Sequence, residues 1–442
     1  MDATNFVSAH PLIGDRRMSR FQILTLLLCG LCAVVDGFDV QVIGYVAPAI
    51  VREWGIDKAT LGPVFSAGLL GLVIGSILLS VVADRVGRRP TLIATMLSLF
   101  VCCVMTASVR SLTELLVLRF ITGIALGSVL PNAMALAGEF SPARHRVTSM
   151  MLVSVGFTAG AVLGGFMSAL ILPAMGWRGV FLAGGVAPLA IAVAMYLLLP
   201  ESLHFLLRRG KYQTAQKWLR RIDNTFHFEL YNVDEGTPQQ THTSSLSRLF
   251  AEDRAKLTLQ LWAANIFNLV TLFFLSNWLP TLMISMNTTE VGAVWAGTLL
   301  QLGGTVGAVL MGPTIDRRGF RSVLGPCFVV AACGLLTLGF FKMPVTATLI
   351  VTFIIGFCVV GGQSGLNALA AASYPPDVRA TGIGAAVGVG RLVSVGAPLL
   401  ASAAIAAGFS ANTIFLCSAL PAIACAAIMT MLGTRRSTFD VV

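Results

Sequence analysis

The sequence predicts an all-α membrane protein in which 12 transmembrane helices form two pseudo-symmetric six-helix bundles. Of its 442 residues, 56% are hydrophobic and 11% are charged, whereas soluble domains carry about 45–50% apolar and about 25% charged residues. The apolar residues fall into 12 runs, each near the roughly 20 residues that cross a bilayer as a helix. A charged sequence pattern also occurs twice, six runs apart. Together these observations argue against a soluble enzyme, a disordered chain and a disulfide scaffold.

The apolar runs define the predicted spans, and the one long polar stretch divides them into two sets of six. The predicted spans are residues 20–47, 60–82, 90–109, 112–138, 147–171, 179–199, 257–284, 292–315, 322–341, 345–371, 381–406 and 412–433. The corresponding division of the chain is an N-terminal tail (1–19), an N-terminal bundle (20–199), a middle loop (200–256), a C-terminal bundle (257–433) and a C-terminal tail (434–442).

The net charge of +10 has an explanation that requires no nucleic acid partner. Of the 30 Lys and Arg residues, 23 fall on one side of the predicted topology, in both tails, the middle loop and alternate short loops. Membrane proteins concentrate Lys and Arg in cytoplasmic loops, so we expect both termini and the middle loop in the cytoplasm. Within the middle loop, Ser202 to Arg221 has an amphipathic pattern that predicts a helix at the membrane surface.

The repeated pattern is D-R-x-G-x-R, after spans 2 and 8. The first copy contains Asp84, Arg85, Gly87 and Arg88, and the second contains Asp316, Arg317 and Gly319. Two copies at matching positions favour two parallel halves, as in transporters built from repeats. Each loop is expected to act as a latch that breaks when the halves rock, although a basic loop obeying the charge rule alone is the alternative. Glu139, at the end of span 4, is expected to join the loop network around Arg85 or Arg144 in a gating or structural role.

Asp36 and Asp39 lie in the middle of span 1, one helical turn apart. An ionisable side chain at the bilayer centre costs about 2.5–3.5 kcal/mol on insertion scales and is therefore a candidate for function. Two close carboxylates in a low dielectric cannot both ionise cheaply, which suits a proton carrier. The alternatives are that one Asp caps a break at Gly37 or pairs permanently with an Arg.

Two arginines also lie inside predicted spans. Arg119 shares a face of span 4 with Gly123 and Gly127, and it either pairs with an Asp of span 1 or meets an anionic substrate. Arg391, in span 11, has no acid near the middle of any span in its own half. A substrate carboxylate fits its guanidinium fork, and pairing with Asp36 or Asp39 is the alternative.

Amide and aromatic side chains complete the candidate binding residues. Gln363 and Asn367 share one face of span 10, where they could hydrogen-bond either to a ligand hydroxyl or to a neighbouring helix. Trp278 and Phe38 are candidates for contact with an aromatic ring, although most aromatic residues in membrane proteins only pack.

These residues carry a resemblance to a known family. The paired D-R-x-G-x-R loops resemble the signature loops of the major facilitator superfamily. Asp36-Gly37-Phe38-Asp39, Trp278-Leu279-Pro280-Thr281 and the run from Gln363 to Asn367 are similar to its aromatic acid:proton symporter family, as are Arg379-Ala-Thr-Gly382 and Gly390-Arg391. The resemblance implies the major facilitator fold and importance for Asp36, Asp39, Asp84, Arg119, Asp316, Arg379 and Arg391.

The resemblance implies a proton-coupled importer of an aromatic carboxylic acid, such as a hydroxybenzoate, benzoate or phenylpropanoate, in a bacterial inner membrane. We expect a monomer in the lipid bilayer without cofactor or metal, driven by the proton gradient. The alternatives are a transporter of a non-aromatic organic anion and a transporter-like receptor. An enzyme is disfavoured because no metalloprotease, hydrolase or nucleotide motif is present.

Overall fold

The computed structural model describes residues 18–222, 249–251, 254–374 and 378–432, and no residue in these ranges belongs to a β-strand. Their α-helices are α1 (Arg20–Trp54), α2 (Leu61–Val86), α3 (Arg88–Ser108), α4 (Leu112–Gly127), α5 (Val129–Glu139), α6 (Arg146–Leu198), α7 (Leu203–Arg208), α8 (Tyr212–Ile222), α9 (Ala255–Ser285), α10 (Glu290–Arg318), α11 (Phe320–Phe340), α12 (Val345–Ser373), α13 (Arg379–Ser394), α14 (Ala397–Ala406) and α15 (Ala411–Met431). The all-α prediction is confirmed. The predicted C-terminal tail, most of the N-terminal tail and residues 223–248 of the middle loop lie outside the described residues.

The predicted count of 12 spans is not reproduced as 12 separate helices. Within the described ranges, 11 helices or helix pairs are long and apolar enough to cross a membrane. The difference arises in α6, whose 53 residues contain both the fifth and the sixth predicted span. At 1.5 Å per residue this helix would measure about 80 Å, far more than one bilayer crossing needs. The helical path breaks at Gly176, where φ is 64° and ψ is −173°, a conformation that glycine adopts without strain.

The described residues group into two units by their contacts. The first unit is formed by those within Met1–Ile43 and Ala67–His242, and the second by those within Gly44–Ser66 and Thr243–Val442. The end of α1 and the start of α2 therefore group with the later half of the chain. The bundle boundaries predicted from the sequence place this segment with the first half.

Helices α2 and α4 of the first unit approach each other until backbone touches backbone. A Cβ atom at Gly75 would lie 2.0 Å from the carbonyl oxygen of Ile124, and one at Gly123 would lie 2.1 Å from that of Gly68. Only glycine permits this separation, as in other membrane helix pairs built on small residues.

The second unit contains the same kind of contact between α10 and α12. A Cβ atom at Gly303 would lie 2.1 Å from the carbonyl oxygen of Phe353, and one at Gly356 would lie 1.9 Å from that of Leu300. These helices are spans 8 and 10, the counterparts of spans 2 and 4 six positions earlier. The backbone contacts therefore repeat as the charged loops do.

The amphipathic segment of the middle loop is helical, as predicted, but its apolar side chains pack against the first unit. Leu206 and Leu219 are buried in the same cluster as Leu136 and Phe140. The ring of Trp218 stacks on Phe21 with centroids 5.7 Å apart. These contacts bury apolar surface that the sequence reading had assigned to the membrane surface.

The close crossing of α1 and α6 gives a stability prediction. A Cβ atom at Gly160 would lie 1.9 Å from the carbonyl oxygen of Val34, whereas one at Gly30 would have no atom within 4 Å. We expect Gly160→Ala to lower the free energy of unfolding by about 1–3 kcal/mol, because the two backbones must separate. Gly30→Ala, in the same helix pair, is the matched control and should leave stability unchanged or slightly raised. Thermal unfolding in detergent measures both, and equal transition temperatures for the two variants would contradict the assigned backbone contact.

Candidate functional site

A buried ion pair stands in the middle of the first unit. Arg119 of α4 donates from Nη1 to Oδ2 of Asp39 of α1 across 3.2 Å. Each of these residues is only 3% exposed. The sequence left two alternatives for Arg119, pairing with an Asp of span 1 or contact with an anionic substrate. The structure contains the first of these contacts.

Helices α3 and α6 complete the surroundings of this pair. The Nη2 atom of Arg119 donates to Thr106 Oγ1 across 3.1 Å, and its guanidinium carbon lies 5.0 Å from the ring centroid of Phe181. Oδ1 of Asp39 lies 3.6 Å from the sulfur of Cys103, whose thiol donates to it. Burying two charges costs several kcal/mol per ion before their attraction is counted, so such a pair is weak evidence for a stabilising role. An expensive pair in the bilayer region is a candidate for function.

Asp36 lies one turn before Asp39 on α1 and is 2% exposed. The predicted proximity of two buried carboxylates on one helix is thus present. Next to it, Gly37 lets α1 approach α6, because a Cβ atom there would lie 1.7 Å from the carbonyl oxygen of Phe157. The Asp-Gly-Phe-Asp string therefore combines a close helix contact with two buried acids.

Phe38 packs within the first unit. Its ring fills the space beside two glycines of α6, so that a Cβ atom at Gly184 would lie 2.4 Å from Cε1 of Phe38, and one at Gly164 would lie 3.2 Å from Cδ2. The described contacts of this ring are helix packing, and its contact with a ligand stays a prediction.

A cluster of amides joins α9 and α12 in the second unit. Gln363 accepts from Asn268 Nδ2 across 2.9 Å and donates from Nε2 to Asn265 Oδ1 and Asn367 Oδ1 across 2.9 and 3.1 Å. Asn265 and Asn268 are each 1% exposed, whereas Gln363 and Asn367 are half-buried. The hydrogen bonds to Asn265 and Asn268 support the interhelical alternative for Gln363, and the partial exposure leaves ligand contact possible.

Arg391 lies on α13, next to the point where this helix meets α9. A Cβ atom at the preceding Gly390 would lie 3.2 Å from the backbone of Asn265, so α13 approaches α9 beside the amide cluster. Arg391 is half-buried. The side chain of Arg379, at the start of the same helix, lies outside the described part of the chain.

Trp278 of α9 is completely buried. Its ring meets that of Phe65 edge to face, with centroids 5.3 Å apart. Its indole N–H and the hydroxyl of Thr281 are buried without a hydrogen-bond partner among the described residues. Most buried polar groups have such a partner, so this face of α9 has unused hydrogen-bonding capacity.

The first D-R-x-G-x-R loop is closed by a carboxylate that the sequence reading did not assign to it. Oε1 of Glu201 accepts from the backbone N–H groups of Arg88, Arg89 and Ser202 across 2.9, 3.2 and 2.8 Å. Gly87, with φ of 117°, precedes α3, and the N–H groups of Arg88 and Arg89 are the first two of that helix. A carboxylate is stabilising at a helix N-terminus.

Glu139 contacts this loop. It forms an ion pair with the side chain of Arg88, three residues after Arg85, and accepts from Ser202 Oγ across 2.7 Å. Asp84 and Arg85 are exposed. Glu201 was missed because nothing in the local sequence says that a residue more than 110 positions after the loop returns to it.

The second copy repeats the backbone of the first. Gly319 has φ of 79° and precedes α11 as Gly87 precedes α3. Asp316 and Arg317 are exposed, as Asp84 and Arg85 are. A Cβ atom at Gly319 would have nothing within 4 Å, whereas one at Gly87 would lie 2.4 Å from the Glu201 carboxylate. The described residues thus close the first loop with a carboxylate and leave open space at the second.

Comparison with known proteins places this architecture. The family model described as Major Facilitator Superfamily matches residues 29–282 and 261–440. The chain is 35% identical to a gallate transporter of Pseudomonas putida, covering 96% of this chain and 94% of that protein. It is 34% identical to the 4-hydroxybenzoate transporter PcaK of Acinetobacter baylyi, covering 95% of this chain and 93% of that protein.

A solved structure agrees in fold. The xylose transporter XylE of E. coli, in a partially occluded inward open conformation, matches with a TM-score of 0.75 at 18% identity, covering 94% of this chain and 98% of that one. The paired loops, the helical architecture and these matches agree, and the chain belongs to the major facilitator superfamily, among its aromatic acid transporters.

Proposed function

We propose that this protein imports an aromatic carboxylic acid together with protons by alternating access. The observation that carries the proposal is the buried Asp39–Arg119 pair, which places a titratable carboxylate against a guanidinium inside the membrane-spanning part of the chain. Relatives named as gallate and 4-hydroxybenzoate transporters support the substrate class.

Coupling to protons follows from the charge of the substrate. A carboxylic acid is an anion at neutral pH, and the cell interior is negative. Moving one elementary charge against the membrane potential costs about 2.3 kcal/mol per 100 mV. One proton carried with the anion cancels this cost, and the proton gradient then drives accumulation.

Asp39 is the proposed proton carrier. Protonation removes its negative charge and with it the main attraction that holds Arg119. The guanidinium is then an uncompensated buried cation, which favours either an arriving anion or a different helix arrangement. Asp36, one buried turn away, would share the proton or tune its binding, because two nearby carboxylates do not both ionise cheaply.

Arg391 is the proposed ligand for the substrate carboxylate, since a guanidinium binds a carboxylate through two parallel hydrogen bonds. Gln363 and Asn367 lie on α12, which the amide cluster joins to α9, and their side chains would hydrogen-bond to a ring hydroxyl of the substrate. Asn265 and Asn268 orient Gln363 for that contact. Trp278, in the same unit as Arg391, would contact the ring only if the ligand displaced Phe65 from it, which makes Trp278 the weaker member of the proposed site. Contact of a ligand ring with Phe38, in the first unit, is a separate prediction and would require a change in its packing on Gly164 and Gly184.

The chain is a multi-pass membrane protein. We place it in a bacterial cytoplasmic membrane with both termini inside, because 23 of its 30 cationic side chains lie on that side of the topology. The proposed partners are the substrate, protons and lipid, with the monomer as the working unit and no cofactor.

The test of the function is uptake into proteoliposomes. Labelled benzoate, 4-hydroxybenzoate, gallate, a phenylpropanoate, a dicarboxylate and a sugar are each supplied with and without an inward proton gradient. Gradient-driven uptake of an aromatic acid supports the proposal. Uptake of the dicarboxylate or sugar alone overturns the substrate class, outward transport overturns import, and tight binding without any transport favours a receptor.

Replacing the proposed proton carrier should separate accumulation from exchange. We expect Asp39→Asn to abolish gradient-driven accumulation while allowing exchange of labelled for unlabelled substrate, because the neutral amide mimics the protonated acid. Both are measured in the same proteoliposomes, with Asp57→Asn, an exposed acid, as control. Gradient-driven accumulation equal to that of the parent would remove Asp39 from the mechanism.

Replacing the proposed carboxylate ligand should weaken substrate binding. We expect Arg391→Ala to raise the KM at least about tenfold, since a charge-assisted bidentate contact contributes roughly 1.5–3 kcal/mol. Arg391→Lys keeps the charge but not the fork and should recover only part of the loss. Lys342→Ala, at an exposed cation of the same unit, is the control. An unchanged KM in Arg391→Ala would contradict the assignment.

The carboxylate at the first loop gives a prediction about stability and pH. We expect Glu201→Ala to lower thermal stability strongly, because three N–H donors lose their acceptor, and Glu201→Gln to retain most of it through its amide oxygen. Burial raises the pKa of the Glu201 carboxyl, so the folded protein holds this proton more tightly than the unfolded chain.

The stability that protonated Glu201 contributes is present at acidic pH and is lost as the pH rises through the raised pKa of its carboxyl. The parent should therefore lose stability relative to Glu201→Gln as the pH rises above the usual range of a glutamate carboxyl. Thermal unfolding of the three proteins from acidic to neutral pH checks both statements. A constant difference between parent and Glu201→Gln would argue against the pH effect, and equal stability of Ala and Gln variants would argue against the hydrogen bonds.

A further inference from the structure

Helix α3 supplies one polar group to each member of the Asp39–Arg119 pair. Cys103 donates to Asp39 Oδ1, with sulfur and oxygen 3.6 Å apart, and Thr106 Oγ1 accepts from Arg119 Nη2 across 3.1 Å. The two residues are one turn apart, and they are 2% and 0% exposed. A single face of α3 thus contacts both charges.

The directions of these hydrogen bonds match the ionised pair. The hydroxyl of Thr106 donates a hydrogen bond to the carbonyl oxygen of Cys102 across 2.7 Å, so the lone pairs of Thr106 Oγ1 face the guanidinium. The thiol of Cys103 donates a hydrogen bond to Oδ1 of Asp39, and Arg119 donates to Oδ2. Helix α3 therefore presents an acceptor to the cation and a donor to the anion.

The strength of the two contacts differs. A thiol is a weak hydrogen-bond donor, whereas a hydroxyl or a backbone N–H is a strong one. One oxygen of Asp39 therefore accepts a strong hydrogen bond from Arg119, and the other accepts a weak one from Cys103. A weak hydrogen bond favours the ionised carboxylate without preventing its protonation.

We propose that Cys103 is a positioning residue for proton coupling, whose thiol sets the pH at which Asp39 takes up its proton while Thr106 holds Arg119. This inference rests on the proposed function, because it assigns Asp39 as the proton carrier. The charged and titratable groups around Asp39 are Asp36 on its own helix, Arg119 on α4, and Cys102 and Cys103 on α3.

Removing the thiol removes a donor that favours the charged carboxylate, so Asp39 should accept its proton at a higher pH. A hydrogen bond of ordinary net strength would correspond to a shift of roughly 0.3–1 pH unit, and the weaker thiol contact is expected to give a shift near the lower end of that range. Cys103→Ser retains a donor and should leave the midpoint near that of the parent or move it lower. Cys29, a buried thiol of the same unit in apolar surroundings, provides the matched control.

The first experiment is the pH dependence of uptake. Initial rates for labelled 4-hydroxybenzoate are measured in proteoliposomes between pH 5 and pH 8 at a constant pH difference, for the parent, Cys103→Ala, Cys103→Ser and Cys29→Ala. The proposal requires a midpoint moved upward in Cys103→Ala, at or below that of the parent in Cys103→Ser, and unchanged in Cys29→Ala. A Cys103→Ala profile that superimposes on that of the parent overturns it, as does an equal shift in Cys29→Ala.

The second experiment does not depend on transport and separates failure of this inference from failure of the proposed function. The S–H stretching band of Cys103 is identified in the infrared spectrum by its absence in Cys103→Ser. In the parent it should lie below the band of Cys29 and move towards it in Asp39→Asn, because an amide oxygen is a weaker acceptor than a carboxylate. A Cys103 band that is the same in the parent and in Asp39→Asn overturns the contact, whether or not the protein carries 4-hydroxybenzoate. If Cys103→Ala does not fold, this comparison still decides the question.

Discussion

Contact between helix backbones fixes where the charged side chains of the first unit lie. Glycine at positions 37 and 160 brings α1 against α6, and glycine at positions 75 and 123 brings α2 against α4. Asp39 lies two residues after the first of these contacts, and Arg119 lies one turn before the last. A Cβ atom at any of these four glycines would lie 1.7 to 2.1 Å from a carbonyl oxygen of the facing helix, so the helices would have to move apart. The ion pair thus depends on residues that carry no charge and no polar side chain.

The polar groups that meet inside the protein are arranged as small closed sets. In the first unit, the two charges are met by a thiol, a hydroxyl and an aromatic ring. In the second unit, Gln363 is met by three amides on two helices. Such sets are expensive to bury and add little net stability, so their presence is better explained by what they can exchange. In our proposal the first set exchanges a proton, and the second exchanges one hydrogen-bond partner for another.

Sequence reasoning identified the features that depend on composition and spacing. Apolar runs predicted most helix bounds to within four residues, although the first helix continues to Trp54, seven residues beyond its predicted end. The two charged loops predicted the repeat that appears in the backbones of Gly87 and Gly319. The fifth and sixth spans were predicted as separate helices, but the sequence did not show that helical structure fills the gap between them except at Gly176. The spacing of Asp36 and Asp39 showed a shared helix face but not which of them Arg119 would reach.

The residues that were missed are those whose partners lie far away in the chain. Glu201 and Cys103 have unremarkable local sequences, and their roles appear only when distant helices are brought together. Phe38 and Trp278 show the opposite difficulty, because a ring that binds a ligand and a ring that packs on a helix look alike in sequence. Their described contacts are with protein, and their assignment as ligand contacts remains a prediction.

The separation of Asp39 and Arg119 in the chain has a consequence for how the protein is made. Span 1 leaves the ribosome with both of its carboxylates before the partner arginine, 80 residues later, has been synthesised. At about 5–20 residues per second, that interval lasts about 4–16 s. During this time the translocon must hold a segment whose acids have no guanidinium beside them, at an insertion cost of about 2.5–3.5 kcal/mol for an ionised Asp. The residue pair that we assign to proton coupling therefore leaves the first span bearing this insertion cost until Arg119 has been synthesised.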